Sequence, residues 1–155
     1  MKLIVFILLL IQQSSILANP LPIKEVRKMF DRSTRSELEC KKLIQTLQPY
    51  SVKTNSLYYG YKAGAIMLMA KHVLNPFSKL SHFKKGKGML ENAINFDNNN
   101  LELRFLRYTI QTNVPSFLNY KQNIKPDKEF IIRSMAALED KELKQIIKNY
   151  LKTQT

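Results

Sequence analysis

The chain has 155 residues and a formal net charge of +13, from 25 lysines and arginines against 12 aspartates and glutamates, with a single cysteine. That length supports one domain with a real core and is too short for two. One cysteine excludes an intramolecular disulfide and any thiolate cluster for a metal, while the basic balance makes anions the natural partners.

The chain opens with Lys2, an apolar run over 3–11, polar residues over 12–15, and Ile16-Leu17-Ala18 before Asn19-Pro20. That order predicts a secretory signal peptide over 1–18, cleaved after Ala18, and leaves 19–155 as a single helical domain exported to the periplasm or cell envelope. The apolar run is too short to span a membrane, which takes about 20 residues. Intact mass on protein recovered from cells is expected to give a chain beginning at Asn19. A cell-associated species that keeps residues 1–18, with no shorter form, would overturn this reading.

Pro20 and Pro22 predict an extended arm. Ile23, Val26, Met29 and Phe30 then give a short amphipathic helix that stops near 31–33. Ser36 followed by Glu39 forms a capping box for a second helix that ends by Pro49, so the two make a hairpin. In it Cys40, Leu43, Ile44 and Leu47 fall at i, i+3, i+4 and i+7, which makes Cys40 a buried small hydrophobe rather than a reactive thiol. Thr54 or Asn55 opens a third helix whose residues from Leu57 to Val73 leave almost no polar face; it is expected to be central and to bury Tyr58, Tyr59 and Tyr61. Gly60 and Gly64, one turn apart in it, are expected to let another backbone come close.

Asn75-Pro76 begins a fourth helix that leads into the stretch 83–108, around which the rest is expected to pack. Gly86, Leu90 and Ala93, joined by Met89 and Ile94, make its core stripe; Asn98, Asn99 and Asn100 break it, and Asn99 with Glu102 reads as a capping box for a fifth helix carrying Leu103, Leu106 and Ile110. Pro115 forces a turn, after which Phe117, Leu118 and Tyr120 are expected to plug the core. Pro126 reads as a first helical position, with Asp127 and Glu129 at the positive end of the dipole and Phe130, Ile131, Met135 and Leu138 following. Asp140 caps a last helix with the stripe Leu143, Ile146, Ile147, Tyr150 and Leu151. No alternating run competes as a strand, so the fold class is all-α, with about seven helices in antiparallel hairpins.

The segment 93–100, Ala-Ile-Asn-Phe-Asp-Asn-Asn-Asn, together with the small, large and small residues Gly86, Leu90 and Ala93, resembles the junction of a tetratricopeptide repeat. The wider block, with YYGYKAGAIMLMAKHVLNPFSKL before it and ELRFLRYTIQTNVPSFLNY after it, is similar to an uncharacterised family of small exported proteins from Bacteroidetes. These resemblances imply a helical, repeat-like stack and bring no reaction with them.

Between Glu39 and Glu91 there is no acidic residue, while lysines recur throughout; Lys79, Lys84, Lys85 and Lys87 crowd the approach to the Asn corner. A one-signed face attracts anions, so these four are candidate partner-binding residues. The segment has no arginine, which disfavours nucleic acid as the partner. Arg104, Arg107 and Gln111 line one face of the fifth helix; the two arginines could hold a carboxylate or phosphate of a partner, or could bridge to Glu91, Asp97 or Glu102 and fasten the corner. His72 and His82 make a poor metal site, no phosphate loop or hydrolase motif occurs, and no enzyme activity or cofactor is expected. The function expected is a protein-interaction module with an acidic protein partner. The competing class is a binder of anionic surfaces such as lipid head groups, through the lysine-rich face.

Overall fold

The computed structural model describes residues 21–154, and the signal peptide read over 1–18 lies outside the described residues. Seven α-helices follow one another: α1 Ile23–Ser33, α2 Glu37–Thr46, α3 Ser56–His72, α4 Pro76–Phe96, α5 Leu101–Asn113, α6 Ile124–Ser134 and α7 Lys141–Lys152, with one 3-10 turn, Ser116–Leu118, between α5 and α6. No strand occurs among the described residues. The all-α expectation holds.

Most of the starts are set by side-chain caps, each worth about 1 kcal/mol. Ser36 Oγ accepts from Glu39 N at 3.4 Å, Asn55 Oδ1 from Tyr58 N at 3.0 Å, and Asp140 Oδ1 from Leu143 N at 2.9 Å. Asn75 takes two amides, Phe77 N at 2.8 Å and Ser78 N at 3.2 Å, with Pro76 in the first turn where its missing N–H costs nothing. At the Asn corner the cap is Asn100, accepting from Leu103 N at 3.1 Å, one residue later than Asn99. Glu102 is therefore at the second helical position, out of register for a capping box, and its carboxylate turns inward. Glu39 likewise does not close its box; it accepts from Arg32 at 3.2 Å. α6 begins two residues before Pro126, which sits in its first turn.

The helix that everything packs around is α3, which touches α1, α2, α4 and α5. Its apolar residues cover the whole circumference, so it has no stripe to leave wet, and Tyr58, Tyr61, Ala63, Ala65, Ile66, Met67 and Met69 are all buried. Its longest pairing is with α4, joined by the short link 73–75. The close backbone approach is at Gly86 of α4, not at the glycines of α3. A Cβ at Gly86 would lie 2.5 Å from Ala63 O and 2.9 Å from Met67 N, whereas Gly60 is covered by the Leu103 side chain and Gly64 by the Phe30 ring.

Two apolar clusters result. The larger joins α1 to α5 around Val26, Leu43, Leu90 and Leu103; the smaller, Phe105, Tyr108, Ile131, Leu143 and Ile147, lies under α6 and α7. α5 serves both, with Leu103 and Leu106 facing one cluster and Phe105 and Tyr108 the other. Charged side chains bridge the clusters. Arg27 of α1, 8% exposed at its side chain, donates to both Glu102 oxygens (2.7 and 2.8 Å) and to Asp140 (2.8 Å), while Tyr61 donates to Glu102 at 2.6 Å. Burial and the Glu102 charge hold the Tyr61 hydroxyl protonated, well above the usual tyrosine range. After α5, Tyr120 fills the core at 1% exposure and Leu118 is partly buried, but Phe117 is 84% exposed and plugs nothing.

Candidate lysine-rimmed groove

The hairpin of α3 and α4 does not close over the far end of α5. Between them lies a groove of about 1270 Å³. Gly64, Met67 and Leu68 of α3 form its floor, Leu80 and Phe83 of α4 one wall, and Ile110, Val114 and Leu118 the other. Helical spacing puts residues 76, 79, 80, 83, 84 and 87 on one side of α4, and this side faces the groove. Four of the lining side chains are lysines, Lys71, Lys79, Lys84 and Lys87, and none of the lining residues is acidic.

These lysines are little engaged by the protein. Lys71 donates weakly to Thr34 O at 3.4 Å, and the Lys87 ammonium stands 4.7 Å from the centre of the Tyr120 ring. Lys79 and Lys84 are exposed and form no ion pair with any described residue. The nearest acid along the chain, Glu91, is spent on Arg107 at 2.7 Å and on the Tyr120 hydroxyl. Large apolar side chains stand uncovered at the same end: Leu74 is 94%, Phe77 85%, Phe117 84% and Leu80 41% exposed.

The lysines of α3 and α4 thus divide in three. Lys62 is structural: 6% exposed, it donates to Tyr50 O at 2.6 Å and Gln48 O at 3.4 Å, closing the chain beyond α2 onto α3. Burial first, and then the charge of Lys85, lower its pKa. Lys85 belongs to that flank of α4 and not to the groove lining. Lys79, Lys84 and Lys87 come together on the groove, and Lys71 joins them from α3.

Arg104, Arg107 and Gln111 share a face as expected, and that face is turned into the protein. Arg107, 5% exposed, grips Asp127 with two donors, Nε to Oδ2 at 2.7 Å and Nη2 to Oδ1 at 2.8 Å. Arg104 donates to the same Asp127 at 3.2 Å and to Asn98 O at 2.9 Å, and lies over the Phe130 ring at 4.4 Å. Gln111, fully buried, accepts from Asn123 N at 3.0 Å. The guanidinium of Arg107 therefore ties α5 to α6 through Asp127 and to α4 through Glu91. Asp127, read from the sequence only as a dipole partner, is the anchor of this cluster at 0% exposure.

Cys40 is fully buried, with Sγ 3.0 Å from Ala65 O, and burial pushes its thiol up to about 11. His72 is tied to Ser33 O at 3.1 Å, and no group of three or more His, Cys, Asp or Glu stands close enough to hold a metal among the described residues. No described helix is long and apolar enough to cross a membrane. Comparison of the chain with protein-family profiles, with characterised proteins and with solved structures finds no match.

Proposed function

We propose that the chain is an exported helical module that binds an acidic partner protein in the groove between α3, α4 and α5. The observation that carries this reading is the lining of the groove: apolar side chains below, four lysines above, and no carboxylate among them. Buried apolar contact supplies affinity, and a rim of one sign steers the partner and rejects basic competitors. The ammonium groups of Lys79 and Lys84 give up no ion pair when they turn to a partner. Export rests on the order of residues at the start of the chain.

Replacing Lys79, Lys84 and Lys87 together with glutamine is expected to lower the melting temperature only slightly: Lys79 and Lys84 are exposed, where substitutions stay within about 0.5 kcal/mol, and half-buried Lys87 gives up its place over the Tyr120 ring, about 0.5–1 kcal/mol. The same variant is expected to lose acidic proteins that the wild type captures from envelope extracts at low salt. Lys85→Gln, on the other flank of α4, is expected to retain them. Equal capture by wild type and triple variant would remove the groove from the function.

A second reading is favoured by three large exposed apolar side chains: Phe117, which lines the groove with the lysines, and Leu74 and Phe77, which flank Pro76 of the same lining in the chain. Such a set can enter the head-group region of an anionic membrane. Flotation with anionic vesicles separates the two, since the membrane reading requires Phe77→Ser and Phe117→Ser to abolish flotation.

A further inference from the structure

Resting on the reading of the groove as a docking site for an acidic protein, we infer that its occupant is an acidic amphipathic helix and not an extended peptide. The floor and the α4 wall are helices, whose interior amides and carbonyls are bonded within themselves; beyond α5 the wall is a turn in which Val114 N donates to Ile110 O and Leu118 N to Pro115 O, and no strand among the described residues offers an open edge. The uncharged polar side chains in the lining already donate within the protein: Thr34 Oγ1 to Asp31 O at 2.7 Å, Thr109 Oγ1 to Leu106 O at 2.8 Å, and Asn113 Nδ2 to Thr109 O at 2.8 Å. An extended chain pressed into this groove would bury amides with no acceptor aligned to receive them, at a cost of about 1–3 kcal/mol for each, and its carbonyls would compete with its acids for the lysines. A helix arrives with its own backbone satisfied and needs only an apolar stripe and charged flanks, which is what the groove complements.

The lysines also argue for a helix over a single-headed amphiphile. Lys79, Lys84 and Lys87 are spread along α4 over about 12 Å at 1.5 Å per residue, and Lys71 stands apart on α3. One carboxylate or phosphate head group meets one or two of them; neutralising the rim takes several acids spaced over about two turns. The lining holds lysines and no arginine, so the acids are met by point charges spread along the rim and not by one bidentate fork.

The test uses two fluorescent 16-residue probe peptides, a length of about four turns, made from the same leucines, glutamates and alanines. One places leucine at i, i+3, i+4 and i+7 with glutamate beside the stripe; the other alternates leucine and glutamate. Binding to the full chain is followed by anisotropy at low salt. The helical isomer is expected to bind at least tenfold tighter than the alternating one. Lys79→Glu with Lys84→Glu should weaken it at least tenfold, Leu80→Asp should weaken it comparably, and Lys85→Glu should change it less than twofold. Circular dichroism of each variant confirms folding.

Equal binding of the two isomers, or no binding of either, overturns the helix inference. If the lysine substitutions still release the captured acidic proteins in that case, the groove keeps its docking role and only the shape of its occupant is wrong. Binding of anionic vesicles with the same lysine dependence, while neither peptide binds, assigns the groove to lipid and overturns both.

Discussion

Gly86→Ala is expected to destabilise the protein by on the order of 3 kcal/mol, although alanine is the better helix former. Its Cβ would meet Ala63 O at 2.5 Å, Met67 N at 2.9 Å and Met67 Cγ at 2.3 Å. A side-chain carbon can swing away, but two backbone atoms of the central helix cannot move without opening the α3 to α4 interface, so the cost falls at the upper end of the range for overpacking. Gly88, two residues along the same helix, has nothing within 4 Å of the place a Cβ would take. Gly88→Ala is accordingly expected to gain roughly 0.5–1 kcal/mol from helix propensity alone. Urea unfolding of the pair measures both. Equal midpoints would mean that the two helices do not meet at Gly86.

Asp127→Ala is expected to cost about 3–5 kcal/mol, because it leaves the buried guanidinium of Arg107 with only Glu91 and strips Arg104 of its carboxylate. Arg107→Met should also be destabilising, since it leaves Asp127, which is 0% exposed, with only the longer contact from Arg104 at 3.2 Å. The double replacement Arg107→Met with Asp127→Leu is expected to be less harmful than the sum of the singles, since the two most buried charges go together and the ones left without an ion pair, Arg104 and Glu91, are partly exposed. Thermal melts of the three variants give the coupling. Additive losses would show that the arginine and the aspartate do not act as a pair.

Local chemistry makes the helices legible. Asn55, Asn75 and Asp140 announce their helices through side chains that reach only two or three residues, and the core stripe Gly86, Leu90 and Ala93 follows from helical spacing. What a one-dimensional pattern cannot resolve is register and depth. Asn99 and Asn100 are chemically the same residue, and which one caps depends on where Glu102 is drawn; the pull on Glu102 comes from Arg27, 75 residues away. Phe117 has the composition of a core residue, but Tyr120 takes the buried place behind it.

The site is half legible. A run of lysines without acids is visible in the sequence, but a helix turns successive residues by about 100°, so Lys84 and Lys85 point to different sides. Only the packing of α4 against α3 decides that Lys79, Lys84 and Lys87 share the groove while Lys85 does not. Arg104 and Arg107 look equally available in the sequence. Their partner, Asp127, lies 23 and 20 residues further on, and nothing local marks it as buried. Lys71 carries no separate signal, because its place on the groove rim comes from α3 ending beside α4.

The docking claim is tested most directly by photo-crosslinking in cells with a benzophenone amino acid at Leu80, in the groove, and at Ile132, a more exposed apolar position on α6. The expected result is a discrete adduct with an acidic protein from Leu80 alone, lost when Lys79, Lys84 and Lys87 are replaced by glutamine. The same adduct from both positions, or an adduct from Leu80 that survives the lysine replacements, would contradict it.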